Sequence, residues 1–340
     1  MQKPNLKIRI SLSMFVLLVS AFLLSKKYSE AADAIDKYIS MPTRRLLCLF
    51  TSGNKGSAFE GMIIVFPTLL FLIIFFTLRG NVTRGVLKRR FLNFLSLFLA
   101  VASLWLLTVG VAYNKTPIYR TLENTTVNEI RDTAEKLSSE VISLSMSTER
   151  SIDIESEIQN AYRKFGYGKA RFPSVKTMNL SELAEYLGIT ALYSFFSSEV
   201  LINDAVPDYA IPFTAAHEYA HYLGILSEGE ANFTSFIVLY TSDSPTLRYS
   251  AIVSALEYLL GDLRRADVNL YNSVYSELPE YVISDISLWQ SFDKKSNSKA
   301  GEISDKINSH HLNTFDRLGE GSYSSLTGFI VSYFDSLAYN

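Results

Sequence analysis

The chain has 340 residues, 48% of them hydrophobic, and a formal net charge of −2 at pH 7. The near-neutral charge, with basic clusters only at the flanks of apolar segments, argues against nucleic acid as a partner. A single cysteine, Cys48, excludes an internal disulfide framework. The positive mean hydropathy of +0.13 predicts a membrane-embedded portion in a chain too long for one small domain.

Three apolar segments, residues 10–25, 61–78 and 91–113, account for this hydropathy. Each is long enough to cross the ~30 Å hydrocarbon core of a bilayer. No small-x-small cleavage site closely follows the first segment, which favours an uncleaved anchor over a signal peptide. Three crossings leave the two ends of the chain on opposite sides of the membrane.

The connection between the second and third segments predicts which side is which. It has no acidic residue, and its basic residues are Arg79, Arg84, Lys88, Arg89 and Arg90. By the positive-inside rule this connection and the basic N-terminus are cytoplasmic. We therefore expect a multi-pass protein of the cell membrane, with the lipid bilayer as a partner and everything after residue 114 outside the cytoplasm.

The rest of the chain divides into a helical linker, residues 115–170, and a further domain, residues 171–340. The predicted elements are helices over 125–147, 152–165 and 180–187, an extended stretch over 171–178, a β-hairpin over 189–196 and 199–203, and mostly helical chain from 244 onward, including 247–263 and 323–337. The hairpin leads into a further predicted helix, with Pro212 suited to its first turn.

That helix carries the sequence His217-Glu218-Tyr219-Ala220-His221. Helical spacing places the two histidines one turn apart on one face, where both can bind one metal ion. Glu218 lies beside them, where it can take a proton from a metal-bound water. The alternative is an amphipathic helix whose histidines only form hydrogen bonds in a core.

A third protein ligand is needed, because catalytic zinc usually takes three and leaves one position to water. Gly224, in a left-handed conformation, can end the helix that carries His217 and His221 and turn the chain back. A second predicted helix then opens with Glu228 and Glu230, which lie on different faces, so that one zinc would use only one of them. We favour Glu228 over Glu230; both could instead be first-turn acids favoured by the helix dipole.

The pattern Glu228-x-x-Ala231-Asn232 resembles the Glu-x-x-Ala-Asp/Asn signature of zinc peptidases with a glutamate as third ligand, the gluzincins. This resemblance implies that Glu228 ligates the metal. It also implies that Ala231 lets the two helices approach each other, and that Asn232 orients a ligand histidine.

A longer set of residues resembles a family of uncharacterised bacterial membrane proteins with a zinc-peptidase motif preceded by transmembrane helices. The residues that carry this resemblance are 175–179, 188–189, 196–199, 202–203, 212–214, 217–221, 224 and 228–233, with a weaker match at Gly321-Ser322-Tyr323. One departure is Phe196-Ser197-Ser198-Glu199, where the family usually has Phe-Thr-Gly-Glu. The resemblance implies a mainly α fold with a small β-hairpin or sheet. In that fold a three-helix transmembrane region precedes a zincin-like α+β metallopeptidase domain.

We therefore expect a membrane-anchored metallopeptidase with one Zn²⁺ per chain, acting on a peptide or protein substrate, with Glu218 as general base. A further donor would stabilise the transition-state oxyanion, and its candidates are Tyr323, His310 and His311. The alternative is a non-catalytic envelope sensor or binding module with a peptidase fold. An intramembrane protease is disfavoured, because residues 211–226 are too short to span a bilayer and contain Glu218.

Overall fold

The computed structural model describes residues 6–79, 83–119, 125–144, 153–168, 170–296, 298–316 and 321–338, without the side chains of 294–296, 321–324 and 338. The chain is mainly helical and has one small sheet. It divides into two compact units. The first comprises residues 1–116 with 194–199, and the second comprises residues 117–193 with 200–340.

The described part of the first unit is mainly helical. Its helices are α1 (Leu6–Lys27), α2 (Ser29–Ile35), α3 (Met41–Thr51), α4 (Ala58–Arg79) and α5 (Arg84–Trp105), with π-helical turns at Asp36–Ser40 and Leu106–Gly110 and a 3-10 turn at Val111–Asn114. Helices α1 and α5 pack against each other.

Three helical segments of this unit are long and apolar enough to cross a membrane: Leu6–Lys27, Ala58–Arg79 and Arg84–Asn114. They contain the three predicted apolar segments and extend beyond each of them. The sequence places five basic residues in the connection between the second and third apolar segments. In the structure these residues belong to helices. Arg79 ends α4, and Arg84 to Arg90 form the first two turns of α5.

The helical segment from Ser29 to Thr51 was not predicted. Here α2, the π-helical turn Asp36–Ser40 and α3 follow one another with helical backbone at each junction. Pro42 lies in the first turn of α3, where its missing N–H costs little.

The sheet has three strands, β1 (Val175–Thr177), β2 (Ala191–Ser194) and β3 (Glu199–Ile202), in the order β1-β3-β2. Strand β1 pairs in parallel with β3, with Val175 opposite Val200. All four residues of β3 are buried, as expected for a central strand. Strand β2 therefore forms one edge of the sheet.

The predicted hairpin is present with shorter strands and a longer turn, residues 195–198. Ser198 in this turn has φ 55°, in the left-handed region that glycine adopts at no steric cost. A glycine at this position, which the resemblance implies for the family, would meet the same backbone requirement. The requirement is one of backbone geometry, and Ser198 meets it.

The helices of the second unit are α6 (Val127–Ser143), α7 (Ile154–Tyr162), α8 (Ser181–Tyr186), α9 (Ile211–Tyr222), α10 (Glu228–Tyr240), α11 (Pro245–Ala266), α12 (Val268–Tyr275), α13 (Glu280–Ser296), α14 (Lys299–Phe315) and α15 (Gly321–Ala338). Helix α6 begins with a capping box, in which Thr126 and Glu129 each bond to the other's backbone N–H. The extended stretch 171–178 contributes only β1.

Helices α10 and α11 form the centre of this unit. Helix α10 packs against α9, α11 and α15, and α11 also packs against α6. Phe236 and Leu239 of α10 and Leu256 and Leu259 of α11 are fully buried. Helix α10 therefore has neighbours on several sides, which fixes the position of its first turn.

A buried carboxyl group lies on α11. Glu257 accepts a hydrogen bond from the hydroxyl of Tyr209, which lies in the 3-10 turn Asp208–Ala210 before α9. Burial raises the pKa of Glu257 to about 8, Tyr209 opposes the rise, and Asp285 adds to it. Tyr258 also interacts with this carboxyl.

We expect the second unit to lose stability as the pH rises from about 4.5 to about 8. Glu257 gives up its proton near pH 4.5 when unfolded but only near pH 8 when folded, so its contribution is complete below about 4.5 and is lost as the pH rises through about 8. Denaturant unfolding of a Trp105→Phe chain, followed by Trp289 fluorescence, measures this unit. Glu257→Gln should flatten the pH dependence, and an unchanged slope in this variant would contradict the assignment.

Candidate metal centre

Helix α9 carries both candidate histidine ligands and is held in place by tyrosines. The hydroxyls of Tyr219 and Tyr222 donate to the carbonyls of Pro173 at 3.0 Å and Arg171 at 2.5 Å. The hydroxyl of Tyr162 donates to the carbonyl of Ala216 at 2.6 Å. All three tyrosines are fully buried. Helix α9 is therefore fixed before its polar residues are considered.

The predicted spacing of His217 and His221 places their rings together. The ring centroids lie 4.4 Å apart, with an angle of 84° between the ring planes. Both side chains are largely buried, with 14% and 15% exposed. Two imidazoles thus share one partly enclosed space, as the motif predicts.

The turn after α9 brings the second helix back toward the histidines. Gly224 has φ 84°, the left-handed conformation predicted for it. Its N–H donates to the carbonyl of His221 at 2.9 Å, and the N–H of Ile225 donates to that of Ala220 at 3.0 Å. Ala220, Ile225 and Ala231 then form one buried apolar cluster between α9 and α10. The two alanines leave room for the close approach of the helices.

This approach places the Glu228 carboxylate against both histidines. Its Oε2 lies 3.2 Å from Nε2 of His217, and its Oε1 lies 3.6 Å from Nε2 of His221. One ligand atom from each of the three residues lies within 4.8 Å of the others, and no other such group of three occurs among the described residues. The backbone N–H of Glu228 donates to the carboxylate of Asp316 at 3.2 Å.

The donor set fits a tetrahedral metal ion. Two imidazole nitrogens and a carboxylate oxygen are ordinary zinc ligands, and tetrahedral ligands at about 2.0–2.1 Å from zinc lie about 3.3 Å apart. The two nitrogen–oxygen distances are close to this value. Nδ1 of His221 lies 2.9 Å from the carbonyl of Ile225, which accepts its proton when Nε2 faces the cluster unprotonated. Nδ1 of His217 is buried without a hydrogen-bond partner among the described residues.

The electrostatics of the cluster favour a charged Glu228. Burial raises the pKa of this carboxyl, but His221, His217 and His311 together outweigh that effect and set it at about 2. The site therefore presents an anionic oxygen between two imidazoles, which suits a divalent cation.

Glu218 lies beside the cluster and is not part of it. Its side chain is buried, with 6% of the residue exposed. Burial raises its pKa to about 7, His221 opposes the rise, and Glu228 adds to it. The backbone N–H of Tyr193 donates to this carboxylate. Tyr193 belongs to the edge strand β2, so that strand runs beside the candidate general base.

Glu230 has other partners. Its carboxylate accepts from the backbone N–H of Ile118 at 2.6 Å and of Tyr119 at 3.2 Å. Glu230 therefore binds the segment with which the second unit begins. Glu228 lies two residues earlier on the same helix, and its side chain faces His217 and His221.

The remaining predicted residues lie in different surroundings. Asn232 is buried and hydrogen-bonds to Tyr258 of α11, whose pKa is raised by burial and by the nearby carboxylates of Glu257 and Glu228. Tyr258 was not identified from the sequence, because no spacing rule connects a tyrosine on α11 with Glu228. The bond predicted from Asn232 to a ligand histidine stays a prediction.

The two late histidines differ in their distance from the site. His311 is half-buried on α14; burial lowers its pKa, and the carboxylates of Glu228 and Asp316 oppose this. His310 is exposed on the same helix. The side chain of Tyr323 lies outside the described residues. Of the predicted oxyanion donors, His311 is thus the one whose described side chain interacts with the cluster.

Fold and site together define a mainly helical protein with three membrane-length apolar helices and a His-His-Glu cluster. The chain belongs to the family described as "Protein of unknown function (DUF3810)", whose model matches residues 32–331. This agrees with the predicted membership of an uncharacterised family. No curated protein and no solved structure matches the chain significantly.

Proposed function

We propose that the chain is a membrane-anchored zinc metallopeptidase that hydrolyses peptide bonds. The observation that carries this proposal is the convergence of His217, His221 and Glu228, with the buried carboxylate of Glu218 beside them. A cluster that served only to stabilise the fold would have no need of a further carboxylate in the position of a base. Three protein ligands also leave a fourth tetrahedral position for water.

In this mechanism His217, His221 and Glu228 would hold the metal, which would supply Lewis-acid chemistry: a lower pKa for a bound water and polarisation of the scissile carbonyl. Glu218 takes the proton of the attacking water and passes it to the leaving amine. The N–H of Tyr193 keeps the Glu218 carboxylate oriented toward that task. His311 is the donor we assign to the developing oxyanion, because its side chain interacts with Glu228.

The edge strand supports a peptide as the substrate. Strand β2 is one of the two outer strands of the sheet, and its Tyr193 contacts Glu218. An extended peptide that paired with β2 would run past the candidate base with its backbone aligned. Recognition of this kind depends on main-chain groups and suits polypeptides of varied sequence.

The three apolar helices support a location in the cell membrane. With basic residues at the start of α5 and at the N-terminus, the proposed orientation has the N-terminus in the cytoplasm and the second unit outside it.

The orientation is tested by reporter fusions. A reporter joined after Thr116 should be active only outside the cytoplasm, and one inserted at position 81 only inside, since basic residues resist translocation. The opposite pattern would place the second unit, and its substrates, in the cytoplasm.

Metal content distinguishes Glu228 from Glu230. The full chain, purified in detergent and loaded with zinc, should hold about one zinc per chain by elemental analysis. His217→Ala and His221→Ala should abolish this binding, and Glu228→Ala should weaken it. Glu230→Gln, two residues away in the same helical turn, keeps an oxygen acceptor for the N–H groups of Ile118 and Tyr119; it is the matched control and should retain the metal. Full zinc in both histidine variants would exclude the cluster as the metal site.

Catalysis is tested through Glu218→Gln, which keeps the shape of the side chain but cannot accept the proton. Zinc content should stay at the wild-type value, while cleavage of a mixed peptide library should fall on the order of 10²-fold or more. Glu302→Gln, the same substitution at an exposed position on α14, is the matched control and should cleave normally. Unchanged cleavage by Glu218→Gln would rule out this mechanism. A zinc-loaded wild-type chain without any cleavage would favour the envelope sensor.

A further inference from the structure

The helical segment from Ser29 to Thr51 has its polarity reversed relative to a helix in water. Asp36 and Arg44 are buried, with 4% and 0% exposed. Large apolar side chains point outward instead, and the most exposed are Tyr38 at 69% and Phe50 at 73%. A helix packed against a core in water would have the opposite pattern.

The buried charges are neutralised within the first unit. The Arg44 guanidinium bonds to the Asp36 carboxylate at 2.7 Å and to the carbonyl of Thr108 at 2.6 Å. The ammonium group of Lys115 reaches the second oxygen of Asp36 at 2.8 Å. Thr108 lies in the π-helical turn Leu106–Gly110, where the regular hydrogen-bond pattern of the helix is shifted. These charged groups are therefore directed toward each other and away from the outside of the unit.

The outward side of the segment combines apolar and basic residues. We call it the outer face; it consists of Tyr38, Ile39, Leu46, Leu49 and Phe50, all exposed, with Lys37 and Arg45 exposed beside them. The ammonium group of Lys37 lies 5.1 Å from the centre of the Tyr38 ring. Apolar residues flanked by basic and aromatic ones are typical of helices that lie in the interface of a bilayer.

Chain connections limit where this segment can lie. Ser29 closely follows the first membrane-length helix, and Ala58 begins the second. The segment is about 34 Å long, whereas the six residues that lead from it to Ala58 reach about 21 Å at most. A helix standing upright in water could not return to the membrane in that distance. Glu30, Lys37 and Arg45 are exposed, which disfavours a fourth crossing of the hydrocarbon.

We infer that the segment from Ser29 to Thr51 is an interfacial membrane helix whose outer face binds the lipid–water boundary of the bilayer. The inference rests on the proposed membrane insertion of the three apolar helices. These helices and the segment from Ser29 to Thr51 belong to the same unit. The lipid-facing surface of the protein then includes the segment from Ser29 to Thr51. A search by hydropathy does not detect this segment because it contains charged residues.

Single-cysteine labelling of the full chain tests the inference. Cysteines replace Leu46 or Phe50 of the outer face, Lys55 in the exposed connection to α4, or Phe66 within α4, each in a Cys48→Ala chain. Each is labelled with bimane and reconstituted in phosphatidylcholine–phosphatidylglycerol vesicles. Quenching is measured with iodide in the water and with nitroxide lipids labelled at shallow or deep positions.

We expect the labels at Leu46 and Phe50 to lose iodide quenching relative to Lys55 and to be quenched most by the shallow nitroxide lipid. The label at Phe66 should be quenched most by the deep one. Because Cys48 is buried, a second route leaves it intact: Phe50→Trp in a Trp105→Phe, Trp289→Phe chain should show blue-shifted emission in vesicles and the same shallow quenching.

Three outcomes would overturn the inference. Iodide access at Leu46 and Phe50 with protection at Phe66 would reject the interfacial helix and leave the three crossings intact. Iodide access at Phe66 would reject the membrane crossings, and the inference with them. Protection from iodide and from both nitroxide lipids at Leu46 and Phe50 would show that protein, such as a second copy of the chain, covers the outer face.

Discussion

The contact of Glu228 with His217 and His221 is the interaction on which the candidate site depends. It joins two helices that meet only because the chain reverses at Gly224 and because two alanines face each other across the contact. The neighbouring histidines lower the pKa of Glu228 and so favour its ionised form. Its negative charge compensates the positive charge of protonated histidines or of a cation in the cluster. Without this contact the two histidines would lie beside a turn and form no enclosed group of ligands.

The surrounding structure is organised to hold these two helices still. Buried tyrosines fix α9 through the extended chain near residue 172, and α10 is enclosed by α9, α11 and α15. The edge strand β2 completes the arrangement, because its backbone reaches Glu218. Rigid elements on each side would let the proposed ion and peptide be positioned without reorganisation.

The sequence predicted the parts of the site that depend on local geometry. The helical repeat fixes His217 and His221 on one face, and a glycine three residues later ends the helix in the way expected. The choice between Glu228 and Glu230 is less local, since it depends on where the segment at Ile118 lies. The partner of Asn232 is a tyrosine on α11, and no short pattern could reveal that contact. No short pattern could reveal the parallel pairing of β1 with β3 either, because the paired residues lie far apart in the chain.

The first unit shows a second limit of sequence reasoning. The three apolar helices are evident from hydropathy, but the segment from Ser29 to Thr51 is not, because six charged residues, among them the buried Asp36 and Arg44, lower its hydropathy. Only the fold shows that these two charges meet each other and a carbonyl of a distant helix. A charged residue counts as polar in a linear search even where its charge is neutralised inside the protein.

The bonds of Glu230 have a consequence for the tolerance of the chain to substitution. They join α10, whose first turn carries Glu228, to the main chain of residues 118 and 119. Because the donor at position 118 is a backbone N–H and the Ile118 side chain is half exposed, that position can change its side chain freely and only proline, which has no N–H, is barred. Position 230 has no such freedom, since its carboxylate accepts both bonds. A structural constraint of this kind leaves one partner variable and the other fixed, although 112 positions separate them in the chain.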